Sequence, residues 1–211
     1  MMNLDLSMLP DAFVERTRQI LSPSDLALWE ESLIHPALTV RWTGKPECAH
    51  LGSEYLESHG FTPRAIEWCP EAWLLGSGSK LALTSLDWVA AQTLFLQSLS
   101  SMAAVMAMGI QPGHDVLDLC AAPGAKTSLI HRRQAGCGIL VANELSRSRT
   151  RRMLALLKRL CISDIDILTG PGEMLGSTHA RCFDRVLADV PCSGEGRFNL
   201  SDAASWSRWG A

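Results

Sequence analysis

Val116-Leu117-Asp118-Leu119-Cys120-Ala121-Ala122-Pro123-Gly124-Ala125-Lys126-Thr127 is the stretch that decides the fold. Its first four residues are a short apolar strand. A turn of small residues follows, and a helix is predicted from about residue 126 to 134. The rhythm repeats downstream. Ile139-Leu140-Val141-Ala142 reads as a second strand and residues 146–161 as a second helix. Asp164–Leu168 and Arg185–Asp189 are further strand candidates. Apolar strands alternating with helices imply βαβ units and a parallel sheet covered on both faces. Ligands of such doubly wound sheets bind at the carboxyl ends of the strands, near the switch point. The 120–127 turn lies at that end of the first strand.

The turn resembles two phosphate-binding motifs and satisfies neither. A P-loop needs G-x-x-x-x-G-K-[ST]. Lys126-Thr127 fits, but Cys120 and Ala125 stand where the glycines belong. A dinucleotide fingerprint needs three glycines, and only Gly124 is present. The small residues still let backbone approach a ligand closely, and the helix start offers free N–H groups. The alternative is a tight turn without a functional role. The next strand ends in Asn143-Glu144. An acid at that place can accept hydrogen bonds from ribose hydroxyls, although it also suits a helix N-terminus. Taken together, the two features point to an adenosine-type ligand without a phosphate cradle, and S-adenosylmethionine fits that description.

The fourth strand runs into Ala188-Asp189-Val190-Pro191-Cys192-Ser193-Gly194-Glu195-Gly196. A carboxylate followed by a proline-oriented thiol at a strand end is a catalytic candidate. Cys69, Cys137, Cys161 and Cys182 are read instead as small buried hydrophobes. The seven cysteines never show C-x-x-C spacing, which argues against a zinc site or a disulfide framework.

The chain has 211 residues, 47% hydrophobic and 19% charged, which excludes a disordered or fibrous chain. It has no apolar run long enough to span a membrane and no signal-peptide pattern at its start. A cytoplasmic address without membrane, metal or oligomeric partners is therefore expected. Charge is uneven. Residues 1–90 carry twelve acids against six Lys and Arg, and residues 91–211 carry ten against thirteen. The first part reads as helices over 9–34, a strand at 38–43 and an amphipathic helix over 47–59 closed by Gly60. Extended segments before the Gly76–Lys80 loop complete a small α+β lobe over residues 1–88. Residues 94–109 are predicted helical. The basic stretch 146–160 is either a phosphate-contacting face or a solvated helix face with Met153, Leu154, Leu157 and Leu160 inward.

These segments resemble the Sun (Fmu) family of RNA cytosine-5 methyltransferases. The matching stretches are 116–127, 141–144 and 183–196, supported by 94–104 and, in the first lobe, 9–21, 39–45 and 56–61. The resemblance implies a class I methyltransferase fold, Rossmann-like and α/β, over residues 89–211, with an RNA-binding lobe over 1–88. It implies S-adenosylmethionine as methyl donor, with Cys120, Ala121, Ala122, Pro123, Gly124, Ala125 and Lys126 around its methionine and ribose part. Glu144 would bind the ribose hydroxyls, and Asp189 would lie beside the methyl group and the target base. Arg41 and Lys45 would contact RNA, ribosomal rather than transfer RNA.

The chemistry needs a cysteine. A thiolate adding to carbon-6 of cytosine makes carbon-5 nucleophilic enough to take a methyl group, and a base then removes the carbon-5 proton. By the family pattern Cys192 assists release of the product, and the nucleophile sits in a later Thr-Cys motif. No Thr-Cys pair occurs in this sequence. The resemblance therefore implies a sheet cut after four strands, a bare flank on the 185–190 strand, and a fragment without its nucleophile. Two other positions depart from the pattern. Pro171 stands where an adenine-reading Asp is usual, with Glu173 as a nearby substitute. Ala125 stands where Gly is commoner, which is harmless unless φ there is positive.

Overall fold

The computed structural model describes residues 6–34, 37–76, 79–192, 194, 198–200 and 203–206. Ser77 and Gly78 of the expected loop, Ser193, Glu195 and Gly196 of the 183–196 motif, and residues 207–211 lie outside the described residues. The chain divides into two compact units, residues 1–37 with 191–211, and residues 38–190.

The smaller unit holds α1 (Asp11–Ile20) and α2 (Pro23–Ile34), both as expected. Its core gathers Leu9, Phe13, Val14, Leu33 and Phe198. Phe13 meets Phe198 edge-on at 4.7 Å between ring centres.

The larger unit contains two four-stranded sheets. The first is antiparallel and is built from β1 (Leu38–Trp42), β2 (Pro63–Ile66), β3 (Cys69–Leu75) and β4 (Leu94–Leu96), in the order β2-β3-β1-β4. Between its strands lie α3 (Ala49–Ser58), α4 (Lys80–Thr84) and α5 (Asp87–Ala90). β4 corrects the sequence reading, which had the helix begin at residue 94. Leu94-Phe95-Leu96 instead pairs with Val40–Trp42. The helix α6 starts at Leu99 and runs to Ala107, because the Ser98 hydroxyl caps it by accepting from the Ser101 N–H. The first sheet thus extends past residue 88.

The second sheet is parallel. Its strands are β5 (Val116–Asp118), β6 (Leu140–Asn143), β7 (Asp166–Leu168) and β8 (Arg185–Leu187), in the order β7-β6-β5-β8. The crossovers are α7 (Ala125–Gln134), α8 (Arg147–Arg159) and the short α9 (Leu175–Thr178). This is the expected βαβ alternation. Among the described residues β8 is the edge of the sheet, and Val186 on it is exposed. In α8, Met153 and Leu157 point inward as expected, but Leu154 is 46% exposed and lies on the solvated face.

One apolar cluster joins the sheets. Ile66, Cys69 and Ala72 of the first meet Met102 and Val105 of α6, Leu129 and Ile130 of α7, and Val116, Leu140 and Leu187 of the second. The other face of the first sheet carries Val40, Trp42, Trp73 and Leu94 against Leu56, Leu83 and Val89 of α3, α4 and α5. Side chains alternate along a strand. With Val40 and Trp42 committed to that face, Arg41 must point the other way, toward α7. Arg41 is 1% exposed, and its guanidinium lies over the Phe95 ring at 5.5 Å. The expected RNA contact at Arg41 is therefore corrected, since a side chain enclosed this way has no surface to offer a polynucleotide. Lys45 is exposed.

Leu129 lies at the centre of the shared cluster and is fully buried. Leu129→Ala should lower unfolding free energy by about 2–5 kcal/mol, measured by urea denaturation. A loss of a few tenths would contradict the packing described.

Candidate functional site

The sheet grows in one direction from β5 to β6 and β7, and in the other from β5 to β8. The turn after β5 therefore leaves from the switch point, where a crevice forms between diverging connections. Asp118 closes β5. It is buried, and its Oδ2 accepts from the Thr127 hydroxyl at 2.7 Å. Burial pushes its carboxyl up to about 6, although the Thr127 hydrogen bond and the Lys126 charge pull it down. The sequence places Asp118 at the head of the turn and gives it no role.

Backbone bonds fold the turn tightly. Ala121 N–H donates to Asn143 O, and Gly124 N–H to Ala121 O, each at 2.8 Å. Gly124 stands at φ +105°, a conformation that requires glycine, and a Cβ there would crowd Met153 Cγ at 3.1 Å. Ala125 opens α7 without positive φ, so its methyl group costs nothing. Asn143 is buried and donates through Nδ2 to Leu119 O and Gly170 O, both at 3.1 Å. It ties the loops after β5 and β7 to the end of β6.

Glu144 follows directly and is 2% exposed. Its Oε1 accepts from Ser146 N–H at 3.0 Å and from Arg149 Nη1 at 3.3 Å. Its Oε2 is buried and has no hydrogen-bond partner among the described residues. A buried acceptor without a donor is costly, and it is the group expected where a ligand's hydroxyl completes the site. Arg149 also donates through Nη2 to Ala122 O at 2.7 Å. It joins the first turn to the acid of the second. The sequence reading had treated the arginines of this helix as one face, and only the three-dimensional contact separates Arg149 from its neighbours.

Lys126 reaches across to Asp189, with Nζ 2.5 Å from Oδ2. Cys120 is half-buried, and its thiol is pushed up by burial and by the Glu144 and Asp118 charges. It stays a neutral thiol and lines the turn. Pro171 and Glu173 are exposed in the loop after β7. Cys192 is exposed. The reading of Cys69 as a buried hydrophobe agrees with its place in the core, but Cys137, Cys161 and Cys182 are exposed and that reading fails for them. Each of the three sits in a loop or turn beyond the end of an element, where no apolar face continues. Among the described residues, no group of three His, Cys, Asp or Glu side chains is placed to hold a metal ion. Nor is any described helix long and apolar enough to cross a membrane.

A family model described as 16S rRNA methyltransferase RsmB/F matches residues 105–210. The ribosomal RNA small subunit methyltransferase F of Erwinia tasmaniensis is 30% identical over 209 residues, covering 94% of this chain and 43% of the relative. The 26S rRNA (cytosine-C(5))-methyltransferase nsun-1 of Caenorhabditis elegans is 41% identical over 101 residues, covering 48% of this chain and 15% of the relative. A methyltransferase homologue from Pyrococcus horikoshii superposes with a TM-score of 0.67 at 25% identity, over 79% of this chain and 54% of that one. The chain spans less than half the length of the curated relatives it matches.

Asp118 gives a pH test of the site. An acid with a raised folded pKa binds its proton more tightly in the folded state than in the unfolded one. Its contribution to stability is therefore lost as pH rises from about 3.8 to about 6. Between pH ~4 and pH ~7 the natural chain should lose stability relative to Asp118→Asn, measured by urea denaturation. A difference that stays flat across that window would contradict the buried carboxyl.

Proposed function

The chain belongs to the 16S rRNA methyltransferase RsmB/F family, and from that membership we propose that it serves S-adenosylmethionine-dependent methylation of RNA at cytosine carbon-5. Its fold is that of the class I methyltransferases. The observation that carries the proposal is the free, buried Oε2 of Glu144 beside a turn of small residues. It suits a ribose hydroxyl, and the nearby Asp118, Glu144 and Asp189 carboxylates suit a cationic ligand. S-adenosylmethionine, when bound, supplies an electrophilic methyl group.

The protein groups divide the work. Glu144 accepts from the ribose hydroxyls, with Arg149 fixing its rotamer through Oε1. Residues 120–126 wrap the methionine and ribose part, and Gly124 lets α8 close over the turn. Asp189, held by Lys126, faces the methyl group and the target base. Cys192 assists release of the methylated RNA. The base must leave any stack to reach this point. The relatives' names favour ribosomal over transfer RNA as substrate. We assign the RNA-contacting role to residues 1–88, with Lys45 as a contact, and the cofactor role to residues 89–211. The chain works as a cytoplasmic monomer without a metal.

A second reading rests on the absence of a Thr-Cys pair from the 211 residues. The isolated chain then binds cofactor and RNA without completing transfer. Radiolabelled S-adenosylmethionine, incubated with the chain and bulk ribosomal RNA, separates the readings. We expect saturable binding of cofactor and no label in RNA. Label in RNA that is abolished by Cys192→Ser would make Cys192 the nucleophile. Failure to bind the cofactor at all would overturn both readings.

A further inference from the structure

A cavity of about 400 Å3 lies between the first sheet and α7, lined by Arg41, Thr43, Ser128, His131, Arg132 and Cys161 among others. Ser128, His131 and Arg132 share one face of α7 at helical spacing. The cofactor turn is at the start of α7, whereas this cavity faces the rest of the helix.

Its charge is unbalanced. Arg41 donates from Nε to Gln97 Oε1 at 2.9 Å and from Nη2 to Ser128 Oγ at 2.8 Å, so both partners are neutral. Arg132 donates from Nη1 to Gly44 O at 2.7 Å, and its Nη2 is buried and unpartnered among the described residues. The carboxylate nearest Arg132 is Glu71, 3.6 Å from Nε, and Arg133 holds Glu71 more closely. His131 Nε2 is 2.9 Å from Asp164 Oδ1. Three guanidinium groups thus share one buried carboxylate. Burial, with the Arg132 charge beside it, lowers the Arg41 guanidinium to about 10. An enclosed charge without a counter-charge is unfavourable unless a ligand supplies one.

We propose that this cavity binds a phosphomonoester dianion, inorganic phosphate or the terminal phosphate of a mononucleotide, between Arg41 and Arg132. Guanidinium groups match phosphate oxygens in pairs. The volume falls in the range of small-ligand pockets, roughly 300–1,000 Å3. Arg41 is too enclosed for an internal phosphodiester, which carries chain on both sides, whereas a terminal phosphate enters end-on. The inference does not rest on the methyltransferase reading.

The test is thermal melting of the 211-residue chain at ionic strength held constant with chloride. Phosphate and adenosine monophosphate should raise Tm saturably, as a ligand of the folded state does. Equal responses to phosphate and the nucleotide identify free phosphate as the source. A response to the nucleotide at tenfold lower concentration that Ser128→Asp removes identifies a mononucleotide in this cavity, and one that the variant keeps overturns the nucleotide arm. Arg41 is built into the packing of β1, so Ser128→Asp is the informative variant. Its carboxylate beside Arg41 takes the ligand's place. It should melt no lower than the natural chain in chloride and require at least tenfold more phosphate for the same shift. Three results would overturn the proposal. One is a chloride response equal to that of phosphate. Another is a Ser128→Asp chain that melts lower yet keeps the full phosphate response. The third is displacement of phosphate by a single-stranded RNA without terminal phosphates.

Discussion

Arg149 holds the carbonyl of Ala122 with one nitrogen and the carboxylate of Glu144 with another, and the candidate site depends on that clamp. A carboxylate this deeply buried is tolerable only when its oxygens are satisfied. Arg149 and the Ser146 N–H satisfy Oε1. Among the described residues Oε2 has no donor, at a strand end beside a turn made of alanines, proline and glycine. The same contact holds the turn in register with the start of α8, whose Met153 packs against Gly124. One side chain therefore fixes the position of the wrapping turn and of the acid together, and it leaves one buried oxygen for the ligand.

The helix between the two sheets carries a related tension. α7 begins at the cofactor turn. Its Leu129 and Ile130 anchor the apolar cluster shared with both sheets. Its polar face then turns Ser128, His131 and Arg132 toward β1, where Arg41 has been driven inward by the alternation of the strand. Arg132 and Arg133 both lean on Glu71 of β3. The first sheet is thus fastened to the methyltransferase core by apolar burial and by charge on the same helix. The charged half of that fastening is not fully neutralised.

Much of this was legible in the sequence. The strand-turn-helix rhythm of residues 116–189 gave the parallel sheet, because strands buried on both faces are written as short apolar runs. The misread segments share a cause. Leu94–Leu96 is apolar and adjoins a helix, and only pairing with β1 made it a strand. Arg41 was assigned to RNA by resemblance, and only the register of β1 showed that it faces inward. Cys137, Cys161 and Cys182 were assigned by residue type, although each lies where no apolar surface continues. Arg149 was hidden among similar arginines, since a clamp between residues 122 and 144 is a long-range fact. Local pattern carried the elements and the ligand-facing turn, and tertiary contact carried the partners of each charge.

Whether Glu144 Oε2 accepts from a ribose hydroxyl is decided by equilibrium binding of S-adenosylhomocysteine and its 2′-deoxy analogue to the natural chain and to Glu144→Gln. A hydrogen bond to a charged acceptor is worth about 1.5–3 kcal/mol. The natural chain should therefore bind the deoxy analogue at least about tenfold more weakly, and Glu144→Gln should scarcely distinguish the two ligands. Equal affinity of the natural chain for both, or the same loss in both chains, would contradict that hydrogen bond.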